Sequence, residues 1–209
     1  MMLGVENFIT FLVTAAFFVM IPGMDTVFVL NKSISQGRKS GIVSAMGINT
    51  GVLTHTCLSA LGLSVLIAKS AIAFMVIKYI GAAYLIYIGV KKYRDTSALA
   101  LENNNLLVTS TIKNDFWSGF FTNSLNPKVA LFFLAFFPQF ITPSKLQDPV
   151  PFIVLGITFA IIGVVWYVTL TVFASTFSTK IKGHPNSGIW LNRVSGFVFV
   201  LMGLQIALG

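Results

Sequence analysis

Negative charge is scarce in this chain. Six Asp and Glu residues stand against fourteen Lys and Arg among 209, and charges of both signs make up 10% of residues against 56% hydrophobic ones. With a mean hydropathy of +0.86, there is too little polar surface to cover a soluble domain. That excludes the soluble class and leaves an all-α integral membrane protein. Cysteine is nearly absent: Cys57 stands alone, so no internal disulfide framework forms and a membrane dithiol relay is excluded. Neither a membrane-embedded acidic pair nor a His-Glu-x-x-His helix occurs, which leaves a serine with a base as the one route to an intramembrane enzyme. Metal ligands at membrane depth are limited to Asp25, His55 and Cys57, with Lys128 repelling a cation. No metal site is expected from that set. An early basic cluster is also missing, Glu6 being the only early charge, so no cleavable signal peptide is expected and the first span stays.

What the chain has instead is long apolar runs. No charge lies between Lys39 and Lys69 or between Asp148 and Lys180, and Arg193 is the last charge of all. A spanning helix needs about 20 apolar residues. With charges and Gly, Pro and Asn clusters as punctuation, the sequence predicts six transmembrane helices, at 5–30, 41–68, 71–91, 115–141, 150–178 and 190–208. The second and fifth exceed the hydrocarbon thickness and are expected to tilt or to project into water. Trp117, Trp190 and Tyr93 fall where spans meet loops, the usual place for interfacial aromatics.

The basic excess follows the loops. Lys32, Arg38, Lys39, Lys91, Lys92, Arg94, Lys113, Lys180, Lys182 and Arg193 belong to the connections after spans one, three and five, whereas the other side holds only Lys69, Lys78 and Lys145. The positive-inside rule then makes loops 31–41, 92–114 and 179–189 cytoplasmic and puts both termini outside. Topology thus accounts for the pI of about 9.8, and nucleic acid is not an expected partner.

The polar stretch 96–114 divides the chain into halves 1–95 and 115–209, each with three spans. An odd number of spans per half makes two similar halves insert in opposite directions, as two inverted three-helix repeats. The first span of each half is interrupted, at Pro22-Gly23 and at Asn126-Pro127. Asn126 suits an N-cap and Pro127 the first helical position, so Asn-Pro-Lys reads as a helix restarting within the bilayer. Free amides at that restart, together with Lys128, would hold a carboxylate. Asp25 is the one acidic residue well inside a span, and three roles are open to it: capping the restarted helix, pairing with Lys128, or accepting a ligand's ammonium group. One positive and one negative charge suit a small zwitterion such as a neutral amino acid.

Other candidates are weaker. Gly47, Gly51 and His55 share one helix face at four-residue spacing. The glycines are either pathway-lining or packing residues, and His55 is either a proton relay or a structural histidine. Asn49 lies on another face and ranks low. Asn123 and Gln139 are candidates for a polar pathway along the fourth span, and Trp166 and Tyr167 line a pathway or fill the core.

The strings PGMDTVFVL, SGIVSAMGINTGVLTH, KYIGAAYLIYIGVKKYR and NSLNPKVALFFLAFFPQF occur in an order that resembles the LysE/RhtB amino-acid exporters over nearly the whole chain. The resemblance implies proton-driven export of amino acids across the bacterial inner membrane by a six-span carrier without a prosthetic group or other cofactor. Substrate would rest near the midplane while the two repeats rock. The neutral branch, with substrates such as homoserine, threonine, homoserine lactone or leucine, is closer than the basic branch because Lys128 is present. The substrate-binding set read from the two breaks is Pro22, Gly23, Asp25, Asn123, Asn126, Pro127 and Lys128, with Asp25 and His55 as proton-coupling candidates. Partners are then a zwitterionic amino acid and membrane lipids, and a homo-oligomer is compatible with the sequence. A cation or heavy-metal exporter on the same scaffold is the alternative class. One departure stands out: Met24 takes the place of the family's second proline, which predicts a softer break at residues 22–25.

Overall fold

A computed structural model describes residues 3–96, 111–174 and 185–208, and every regular element among them is helical. The first half holds α1 (Phe8–Met20), α2 (Met24–Gln36), α3 (Arg38–Leu58), α4 (Ser64–Lys69) and α5 (Ala71–Arg94). The second holds α6 (Ile112–Ser124), α7 (Pro127–Leu131), α8 (Pro149–Val172) and α9 (Pro185–Leu208). A π-helical turn at Ser59–Leu63 carries α3 into α4, and α7 continues through π-helical Phe132–Phe136 into 3₁₀-helical Phe137–Phe140.

Local chemistry sets the boundaries. Ser70 caps α5 by accepting the Ala73 amide at 3.1 Å, and Asp148 caps α8 by accepting that of Val150 at 3.0 Å. The Val150 amide, with the Lys145 ammonium beside it, holds the Asp148 carboxyl below the usual carboxylate range. The residue before a proline is driven out of the α region. Ile21, before Pro22, is accordingly extended, with φ −61° and ψ 120°, and α1 stops there.

Both sequence-predicted breaks are present. α1 and α2 are bent by 54° and α6 and the α7 segment by 47°. The single Pro22-Gly23 suffices for a full interruption, so the softer break expected from Met24 is corrected: Gly23 takes an extended conformation and Met24 starts α2.

Among the described residues three helices, Arg38–Ile67, Ile72–Arg94 and Pro149–Val172, are long and apolar enough to cross a membrane, or five if each bent pair is one span. Among the described residues the last helix adds a shorter apolar stretch, Asn192–Leu208, within the run expected at 190–208. The charges taken as loop markers are also partly helical. Loop 31–41 shrinks to Gly37, whose φ of +88° makes the turn between α2 and α3. α5 runs on to Arg94, α6 starts at Ile112 inside the expected linker 96–114, and α9 starts at Pro185 inside the expected loop 179–189. Helices outrun the hydrocarbon wherever basic side chains can reach water. Residues 97–110 and 175–184, and with them most of the linker and the end of the fifth span at 178, lie outside the described residues.

Glycines set the close contacts. A Cβ on Gly47 would strike the Phe116 carbonyl oxygen, and one on Gly119 the Ser44 carbonyl oxygen, so α3 and α6 touch backbone to backbone. Gly156 and Gly163 of α8 accommodate Thr56 and Asn49 of α3, while Gly89, Gly196 and Gly203 bring α5 against α9. Between these seams lies a stack of buried phenylalanines. Phe18, Phe132, Phe133, Phe136 and Phe137 are 0–1% exposed, with Phe18–Phe132 and Phe133–Phe137 centroids at 3.9 and 4.0 Å. The chain start is tied to the far end of this stack, since Phe140 accepts the Glu6 amide at 2.8 Å and Gly4 that of Thr142 at 3.0 Å.

Candidate functional site

Each proline takes a partner from a specific carbonyl. In an α-helix the carbonyl of residue i accepts from the amide of i+4, and proline has no amide proton. Pro22 deprives Phe18 and Pro127 deprives Asn123. Both carbonyls meet a donor from the opposite half of the chain, and that of Asn123 also accepts the Asn126 amide at 2.9 Å. Lys128 Nζ donates to Phe18 O at 3.3 Å and to Ile21 O at 3.4 Å. His55 Nε2 lies 3.1 Å from Asn123 O, and since a carbonyl oxygen only accepts, that nitrogen carries the ring proton.

Asp25 stands in the first turn of α2 but does not cap it; Gly23 is the N-cap. Its carboxylate instead accepts the side-chain amides of Asn123 at 2.9 Å and Asn126 at 3.3 Å. Asn126 Oδ1 in turn accepts the Lys128 backbone amide at 3.0 Å. A continuous chain of bonds therefore runs from His55 through Asn123, Asp25 and Asn126 to Lys128. Asp25 and His55 are 7% and 5% exposed, so the partners stand where water would otherwise be.

The expectation of free amides at the second break is corrected. Asn126 serves as N-cap, as predicted, and takes the amides of Lys128, Val129 and Ala130 on its side-chain and backbone oxygens. The positive element left at this break is the Lys128 side chain. No direct ion pair joins it to Asp25. Its ammonium lies 4.4 Å from the Phe18 ring centroid and 5.1 Å from that of Phe199.

Two spaces meet at Lys128. An enclosed chamber of about 10 Å³, lined in part by Asp25, Asn49, Asn123, Lys128 and Tyr167, has room for about one water. An open cleft of about 600 Å³ ends on Pro22, Gly23, Asn126, Pro127 and Lys128. It runs outward along Val27, Phe28 and Asn31 of α2 and along Tyr84, Ile88 and Lys92 of α5, with Phe199 of α9 on its wall. Among the described residues Lys128 alone of the charged side chains lines both, and no carboxylate lines the cleft.

The predicted residues separate accordingly. Pro22, Gly23, Asn126, Pro127 and Lys128 face the cleft, whereas Asp25, Asn123 and Tyr167 face the chamber. Gly47 and Gly51 line neither; both press on α6 and are packing residues. Gln139 and Trp166 also line neither, and Gln139 Nε2 and Trp166 Nε1 are buried without a partner among the described residues. Asn49, ranked low from the sequence, stands 5% exposed on the chamber wall with Oδ1 unpartnered among the described residues. A lone amide at membrane depth was the signal for it. Sequence reasoning missed Phe18 and Phe199, which carry no polar mark, and also Tyr84, and took Lys92 only as a topology charge. Among the described residues no group of three His, Cys, Asp or Glu side chains converges on a metal-sized site.

Broken membrane helices, a deep cleft ending at their junction and a buried charge on each side define a multi-pass helical membrane protein of the transporter kind. A model of the LysE type translocator family matches residues 16–209, and the chain belongs to that family. It is a transporter and not an enzyme. The homoserine/homoserine lactone efflux protein of Salmonella typhimurium is 32% identical over 202 residues, 97% of this chain and 96% of that protein. The leucine efflux protein of Klebsiella pneumoniae is 31% identical over 206 residues, 98% and 96% of the two chains. An uncharacterized membrane protein of Bacillus subtilis is 31% identical over 210 residues, 97% and 99%. No solved structure matches the chain.

Proposed function

We propose that this protein is a secondary carrier that exports neutral amino acids or close derivatives from the cytoplasm across the bacterial inner membrane, with protons moving inward. The reading rests above all on one observation: the cleft ends at Lys128 between two helix breaks, and ionisable Asp25 stands directly behind it. The relatives named for homoserine, homoserine lactone and leucine efflux point to the same cargo. Lys128 holds the substrate carboxylate, and Asp25, bonded through Asn123 to His55, carries the coupling proton.

Six spans in two inverted repeats, residues 1–95 and 115–209, suit the element pattern. α1 and α6 have 13 residues each and α5 and α9 have 24 each. Packing is exchanged between halves, with α6 against α3 and, less extensively, α1 against α8, the pairing that a two-fold relation calls for. In this arrangement the end of the cleft bearing Lys92 faces the cytoplasm and the phenylalanine stack seals the other side. Reporter fusions at Asn104 and Gly209 are then expected on opposite faces of the membrane; finding both on one face would rule out the arrangement.

Purified protein in proteoliposomes, preloaded with each unlabelled solute in turn, tests the cargo. Labelled leucine or homoserine should accumulate by counterflow, while lysine and divalent metals remain at the level of protein-free vesicles. Exchange of lysine or metal alone would replace this reading with a cation exporter.

A further inference from the structure

The surroundings of the Lys128 ammonium have the chemistry of an ammonium-binding site in their own right. Two backbone carbonyls, of Phe18 and Ile21, converge on Nζ at 3.3 and 3.4 Å. Both belong to the C-terminal end of α1, where the helix dipole is negative. Two aromatic faces complete the enclosure, Phe18 at 4.4 Å and Phe199 at 5.1 Å, and such faces attract cations electrostatically. Gly23 borders the ammonium on the cleft side, where a Cβ would come into van der Waals contact with Nζ at 3.4 Å. The site's cleft-side members are Phe199, Gly23 and Lys128 itself at the inner end of the cleft, and Phe18 stands behind them on the chamber wall.

A zwitterion in this cleft has a cation for its carboxylate but no carboxylate for its ammonium group, because none lines the cleft among the described residues and both oxygens of Asp25 already accept the Asn123 and Asn126 amides. The best ammonium site within reach is the one that Lys128 fills. A lysine side chain ends as an amino-acid backbone does, in a primary ammonium on a tetrahedral carbon, so whatever holds one can hold the other.

We propose that the substrate's α-ammonium group binds to the Phe18 and Ile21 carbonyls and the Phe18 and Phe199 rings by displacing the Lys128 ammonium, and that the released lysine pairs with the substrate's carboxylate. This rests on the amino-acid cargo proposed above. Lys128 thus acts as a tethered competitor, and binding exchanges one cation for another at the α1 terminus without leaving either carbonyl bare.

Calorimetry on the purified full chain separates the two halves of a leucine-like ligand. 3-Methylbutylamine carries the ammonium without the carboxylate, and 4-methylpentanoate the reverse. In Lys128→Met the amine should bind at least about tenfold more tightly than to the wild type, as removal of a competitor that holds the site some nine-tenths of the time requires, and the acid should lose its binding. Equal or weaker amine binding in that variant would defeat the proposal. Should Lys128→Met not fold, Phe199→Leu decides: amine affinity falls about two- to fivefold, the size of one cation–π contact, with acid affinity kept. An unchanged amine affinity, or an equal fall for both ligands, would count against it. Counterflow keeps the two ideas apart. If neither leucine nor homoserine exchanges while the amine results hold, the cargo is wrong and the ammonium site stands.

Discussion

Replacing Asp25 by asparagine is expected to leave a folded, membrane-inserted protein that no longer exports against a pH gradient. The carboxylate accepts two amides, from Asn123 at 2.9 Å and Asn126 at 3.3 Å. An asparagine keeps one acceptor and turns its NH2 toward the other amide. Asn126 has no freedom to turn, because its Oδ1 caps α7, but Asn123 Oδ1 has no partner, and that amide can rotate to accept. Its rotation restores the second bond and avoids most of the 1–3 kcal/mol, roughly, that a buried unpaired donor costs. The titratable group is gone while its surroundings stay. In proteoliposomes, proton-driven accumulation should fall at least about tenfold, a loss of ~1.4 kcal/mol or more of coupling, while exchange at equal pH persists. Accumulation that still follows the pH gradient would remove Asp25 from the coupling role.

Gly47→Val should prevent accumulation of folded protein altogether. The new side chain would meet the Phe116 carbonyl oxygen and its carbon, which are backbone and cannot swing aside. Overpacking of this kind costs about 1–3 kcal/mol when the neighbours can yield, and here an entire helix has to retreat. That retreat also pulls Asn123, four residues beyond Gly119 on α6, away from His55. Gly62→Leu is the control, since nothing lies within 4 Å of its Cβ position and leucine is the better helix former. Size-exclusion chromatography of detergent extracts should give a monodisperse peak for Gly62→Leu and none for Gly47→Val. A normal peak for Gly47→Val would mean that α3 and α6 pack less tightly than described.

The sequence revealed what one residue can announce by itself. Pro22 and Pro127 lack an amide proton wherever they stand, so both breaks could be placed before any fold was known. Asn126 as N-cap followed from Asn-Pro for the same reason. What the sequence concealed depends on direction. Gly47, Asn49 and Gly51 lie on one helix, and only the approach of α6 on one side and α8 on the other decides which of them packs and which faces the chamber. Phe18 and Phe199 gave no warning because a phenylalanine in a chain with twenty of them looks like filler until a cation is found above it. The ends of helices were misjudged for a simpler reason: Lys32 and Arg38 signal water nearby but not the end of the helix that carries them.

The seam between α5 and α9 bears on how such a molecule can move. Gly89 and Gly196 bring these two helices into backbone contact, and Gly203 seats against Ala82 and Ile86, although one helix closes each half of the chain. Pulling the halves apart would unzip that seam along most of its length. The cleft already runs between α5 and α9 on one bank and α2 on the other, with far less packing to lose. The two helices are joined like the leaves of a single door, and the doorway is the cleft itself.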